Sequence, residues 1–221
     1  NEMMYKMSPI YIWWEFQWTY IPNEHTLLYL PFREDMLDYS GNNRAVTSDI
    51  WEIVNWYFYN SVDDLSKTWI DIADMPALDQ FTTSFWVKKT ANAWWTVVMF
   101  LFVNWNQVHS LDFWTKIRFW VRWWDNDPSV PNNADNVWRL LTYVREWSDF
   151  KLYINWSLNS SSSHSLSQPS WLRRFFGWWS AYHPLVWYCS ELIMEDTYWT
   201  AQQVADYYNE RCSEYWLQPI S

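Results

Sequence analysis

Apolar and polar positions divide this chain unevenly. Over residues 1–46 no period is sustained: aromatic side chains are dense, and Pro9, Pro22 and Pro31 interrupt any long element. Turn chemistry stands at Pro22-Asn23-Glu24 and at Ser40-Gly41-Asn42-Asn43. From Thr47 the pattern changes. Asp49 and Glu52 have the spacing of a helix start, and Ile50, Ile53, Val54, Tyr57, Phe58, Val62 and Leu65 follow at helical intervals, which predicts one long helix over 49–72. A short strand is expected over 78–83 and one or two helical turns over 86–90. The β-branched and aromatic run 96–103 predicts a buried strand, returned over 108–113 and followed by a third strand over 116–124. Beyond Pro128 and Pro131, the positions Val137, Leu140, Leu141 and Val144 predict a helix that ends near Glu146. The serine-rich run 157–170 reads as a flexible loop, and Trp171 to Trp179 as a packed connector helix, with a lid or a membrane-surface segment as alternatives. Two closing helices are expected, from Cys189 to Tyr198 and over 200–215.

Composition changes the picture in one respect. There are 23 Trp, 15 Tyr and 12 Phe but only 2 Gly in 221 residues. Glycine ordinarily supplies the positions at which the backbone turns to positive φ, so this balance suggests a computationally designed or altered sequence. The net charge of −10 excludes nucleic acid as the main partner, because phosphate neutralisation needs clustered Lys and Arg. Cys189 and Cys212 make no disulfide framework. No leader pattern is read at the first residues, and the most apolar window, 94–103, is too short to span a bilayer, so a cytoplasmic location is the default expectation. No phosphate loop, metal-type spacing or cofactor motif appears, and no cofactor is expected.

The candidate chemistry centres on Trp187-Tyr188-Cys189-Ser190-Glu191-Leu192-Ile193. A cysteine at the first turn of a helix feels the positive end of the macrodipole, which lowers its pKa and favours the thiolate. The bland alternative is a buried cysteine acting as a small hydrophobe. His25 reads as a solvated or core residue, His164 as a solvated loop residue, and His183 as structural or catalytic in equal measure.

The segment Tyr188-Cys189-Ser190-Glu191-Leu192 resembles the cysteine motif of the circularly permuted, NlpC-type papain-like hydrolases, the YiiX-like proteins. Tyr143, Asp149 and Phe150 agree with a second segment of that family, and Thr90 to Met99 is similar to its histidine-bearing strand, with Thr96 at the histidine position. The resemblance implies an α+β papain-like fold: an antiparallel sheet on helices over 74–221, a serine-rich insertion at 157–183, and an N-terminal helical extension over 1–73. It implies Cys189 as nucleophile of amide or ester cleavage through an acyl-enzyme. Thr96 cannot act as a base near neutral pH. The base falls instead to His109 or, as second choice, His183. His109 faces the site if Leu111 holds the family's third polar position, and a one-residue register slip would bring in Asp112 instead. Three readings stay open on these residues. One is a thiol hydrolase of weakened or lost activity, taking a peptide, amide or lipid-like substrate. Another is a non-catalytic scaffold, designed or a pseudoenzyme, that keeps the fold. The third is a membrane-surface module, weakly bound through Trp171 to Trp179.

Overall fold

The computed structural model describes residues 20–33, 35–48, 52–54, 57–60, 70–73, 75–76, 78–89, 97–102, 109–113, 116–120, 129–131, 136–163, 172–175 and 187–220. Over these the chain is almost entirely antiparallel β-structure, in two sheets.

The first sheet runs in the order β13 (Ser157–Ser163), β12 (Asp149–Ile154), β11 (Trp138–Glu146), β6 (Gln80–Lys89), β15 (Trp187–Glu195), β4 (Tyr57–Asn60), β3 (Glu52–Val54), and β1 (Thr26–Leu30) also pairs with β15. The second runs β10 (Ser129–Pro131), β9 (Lys116–Trp120), β8 (His109–Phe113), β7 (Val97–Phe102), β14 (Leu172–Phe175), β5 (Ile70–Ile72), β2 (Val46–Ser48). Among the described residues helix is confined to α1 (Ala201–Arg211) and a 3-10 turn at Cys212–Tyr215.

The central strands of the first sheet, β11, β6 and β15, are buried on both faces. The sheet's inner face contributes Leu28, Leu30, Phe85, Val87, Leu141, Leu152, Leu192 and Met194 to a core that also holds Ile70 and Ile72 of β5, so the two sheets pack as a sandwich. Its outer face carries Tyr29, Trp86, Trp138, Leu140, Val144, Tyr153 and Ile193, covered by Val204, Tyr207 and Tyr208 of α1 and by Cys212 and Tyr215 behind it. Thr200 caps α1 in a reciprocal box with Gln203, whose side-chain oxygen accepts from the Thr200 N–H at 2.8 Å.

This architecture corrects the α+β papain-like expectation and its N-terminal helix. The segment read as one helix over 49–72 contains the strands β3, β4 and β5. The helix expected before Glu146 is β11, and two-sided burial explains the misreading. Trp138, Leu140, Leu141, Tyr143 and Val144 are all buried, so the alternation that marks a half-exposed strand is erased. The serine run begins with a paired edge strand, β13, in place of a loop. Leu172–Phe175, inside the expected connector helix, is β14, between β7 and β5. The strands expected over 96–103, 108–113 and 116–124 are found as β7, β8 and β9, and the last expected helix is α1 with its 3-10 extension.

Glycine scarcity is met by other residues. Gly41 takes φ 91°, but Phe32, Asn43, Asn136, Trp147, Asn155, Glu191 and Trp216 all take φ between 52° and 61°. Asparagine tolerates that region, whereas each of the others bears a cost of about 1–2 kcal/mol that its surroundings must offset.

Candidate functional site

Cys189 lies within β15, not at a helix start, and pairs with Val87 of β6 and Phe58 of β4. Its side chain belongs to the inner core, and desolvation pushes the thiol pKa well above its ordinary value. No dipole favours the thiolate there; this is the buried-hydrophobe alternative. His109 and Asp112 stand on β8 of the other sheet, with Cα partners Phe100 and Val97 on β7, and only their backbone is described. Thr96, His164 and His183 lie outside the described residues. Among the described residues no group of His, Cys, Asp or Glu could hold a metal ion.

The outer face of β15 is chemically richer than the thiol. Register with β6 shifts between Ser190 and Leu192, so Glu191 is an extra residue with φ 57°. A bulge of this kind sets two successive side chains on one face. Ser190 accepts from the Tyr215 hydroxyl at 2.9 Å, while the Glu191 carboxylate accepts from Tyr29 at 3.0 Å, from Tyr207 at 2.9 Å and from Arg211 Nε at 2.8 Å. Arg211 and Glu191 are both sealed from water. Glu214 adds a second carboxylate to Arg211 and itself pairs with Arg33 at 2.9 Å. Further along β15, Glu195 accepts from Tyr20 at 2.6 Å and from Trp199 Nε1 at 2.5 Å. These two buried carboxylates fasten the C-terminal cover and the Tyr20 segment to the sheet. The Glu191 carboxylate is taken up by Tyr29, Tyr207 and Arg211, all buried against the sheet, which makes the group structural rather than a place for a ligand.

A line of aromatic rings runs beside that network, across the outer face. Trp156, in the β12–β13 turn, lies 4.8 Å from Tyr208; Tyr208 stacks at 5.8 Å on Trp86; Trp86 stacks at 4.0 Å on Tyr215; Tyr215 lies 5.0 Å from Trp138, and Trp138 6.5 Å from Tyr188. The middle of this ladder is buried, but both ends reach solvent: Trp156 is 40% exposed and Tyr188 is half-buried. Strand pairing explains the second end. Lys88 of β6 has Trp138 of β11 and Tyr188 of β15 as its Cα partners, so the three side chains form one row across the sheet. The Lys88 ammonium sits 4.6 Å from the Tyr188 ring centre and 5.4 Å from that of Trp138. At the first end, exposed Leu158 follows Trp156, and β13 offers the polar row Ser157, Asn159, Ser161 and Ser163 to solvent.

Sequence reasoning singled out Tyr188 only as a flank of the cysteine and left Lys88 and Trp156 unremarked. Their joint signal, a lysine framed by aromatics on neighbouring strands, exists only once strand register is known.

No protein-family model matches the chain, and no curated protein sequence matches it. Solved structures do. The receptor-binding domain of botulinum neurotoxin D superposes with a TM-score of 0.66 at 16% identity, over 83% of this chain and 52% of that one. A structure of botulinum neurotoxin type C, described as dependent for cell entry on two ganglioside molecules, gives 0.64 at 15% identity, over 84% and 51%. Domain 4 of an extracellular arabinanase from Geobacillus stearothermophilus, in complex with arabinotriose, gives 0.60 at 17% identity, over 82% of this chain and 97% of that domain. The chain thus spans about half the length of the neurotoxin structures and nearly all of the arabinanase domain. These relatives are β-rich binding domains, and with the all-antiparallel fold they overturn the resemblance to papain-like NlpC hydrolases and the thiol-hydrolase function drawn from it. What this chain shares with them, at such identities, is the fold of a two-sheet β-sandwich.

Proposed function

We propose that this protein is a carbohydrate-binding module, and that a short oligosaccharide docks along the solvent-reaching part of the aromatic ladder. The observation that carries the reading is Trp156, a tryptophan held 40% exposed at the end of a line of stacked rings. An indole costs free energy to leave in water, and the C–H face of a sugar ring is a flat apolar partner for it. The hydroxyl-rich edge of β13 beside it supplies donors and acceptors for sugar hydroxyls, in the combination of one apolar platform with a few polar groups that small-ligand sites use. The fold likeness to a domain solved with arabinotriose agrees with this reading but does not carry it, since one fold hosts many functions.

The test is calorimetric titration with arabinotriose and a panel of neutral and acidic oligosaccharides. At least one is expected to bind, and Trp156→Ala is expected to weaken it about tenfold or more while Trp156→Phe keeps most of the affinity. Absence of binding across the panel, or binding indifferent to Trp156→Ala, overturns the reading.

A further inference from the structure

Resting on that carbohydrate-binding reading, we infer that the Trp138–Lys88–Tyr188 row is the subsite for a sugar unit that carries a carboxylate. Among the described residues no Asp or Glu forms an ion pair with Lys88, and its ammonium lies over the two flanking rings. Other described cations of this face are neutralised. Arg211 meets Glu191 and Glu214, Arg33 meets Glu214, and Lys151 meets Glu146 at 3.3 Å. A half-buried ammonium laid across aromatic faces has lost part of its hydration and keeps N–H donors for an anion.

The occupant is chosen by charge and shape together. A carboxylate on a pyranose or furanose ring meets the ammonium while the ring lies at the rim of Tyr188, as a neutral sugar does at Trp156. The chain's charge of −10 does not forbid this, because screening over about 8 Å at physiological salt leaves the nearest cation dominant. An acidic peptide offers the carboxylate but lacks the rigid ring, so the saccharide is favoured.

The experiment titrates the full chain with trigalacturonate, with arabinotriose and with a short glutamate peptide, in wild type, Lys88→Met and Lys88→Arg. Met keeps an apolar stem over the two rings and Arg keeps the charge. Trigalacturonate is expected to bind wild type and Lys88→Arg, to bind Lys88→Met about tenfold more weakly, and to lose affinity as salt is raised. Arabinotriose binding, where present, is expected to be indifferent to Lys88→Met. If trigalacturonate binds equally well to wild type and Lys88→Met, the acidic subsite is overturned while the carbohydrate reading stands. If the peptide binds through Lys88 and no saccharide binds, both fall.

Discussion

Arg211 Nε lies 2.8 Å from Glu191 Oε2, with both side chains closed to water, so one ion pair joins the bulge of β15 to the end of α1. Breaking such a pair from one side leaves a buried charge uncompensated, which costs about 3–5 kcal/mol, whereas removing both charges together is much cheaper. Arg211→Met is therefore expected to lower stability by about that amount in denaturant unfolding, and Glu191→Leu with Arg211→Met by clearly less than the sum of the single changes. Additive effects would mean that the two side chains are not coupled as described.

A second expectation concerns alkaline pH. Burial raises the pKa of Tyr20, Tyr29, Tyr207 and Tyr215, and the Glu195 or Glu191 carboxylates beside them act in the same direction. These groups stay protonated in the folded chain when the unfolded chain would already release protons near pH 10. Their contribution to stability is complete below that pH and is lost as pH rises toward the folded values. Each such tyrosine removes about 1.4 kcal/mol per pH unit above about 10. Unfolding and the rise of tyrosinate absorption should coincide; tyrosinate that forms in the intact fold would refute the burial.

Trp147 offers a stabilising change. It is 64% exposed, holds φ 58° in the two-residue turn between β11 and β12, and contributes to neighbours mainly through its backbone, whose carbonyl accepts from Arg145 Nε at 3.0 Å. Trp147→Gly relieves about 1–2 kcal/mol of backbone strain against about 0.5–1 kcal/mol of extra chain entropy, so a net gain of about 0.5–1 kcal/mol is expected. A lowered midpoint in thermal unfolding would show that the indole packs on something.

Cys189 should be chemically silent in the folded protein. Labelling with iodoacetamide is expected only at the rate of unfolding and with no activated thiolate near neutral pH, since desolvation disfavours the charged form. Cys189→Ser should cost about 1–3 kcal/mol, because a hydroxyl enters an apolar core without an evident partner. Fast labelling under native conditions would contradict this burial.

How far the sequence was legible follows from how the faces are covered. The strands at β7, β8 and β9 were readable as apolar and β-branched runs, and α1 was readable as a helix. β11 was not, because sheet and helix cover its two faces and the alternation disappears. β15 misled more strongly. Its bulge breaks the two-residue period, so that Cys189, Leu192 and Ile193 fall at positions i, i+3 and i+4, the signature of a helix. The thiol motif and the supposed helix start thus share one cause. Of the candidate site, the exposed ring at Trp156 and the ring-flanked cation at Lys88 depend on partners fifty or more residues away in sequence, beyond the reach of local pattern.

The bulge has one more consequence. Because Ser190 pairs with Trp86 and Leu192 with the very next residue, Phe85, Glu191 has no partner on β6. It is the position at which β15 can be shortened by one residue without reversing which side any other residue faces; the same deletion at Leu192 or Ile193 would swing part of the strand through half a turn. Loss of Glu191 would leave a flat strand and an intact sandwich, with Arg211 as an unmatched charge beneath the final helix. The charged part of the joint between the sheet and α1 thus hangs on an inserted residue that the strand pairing itself does not need.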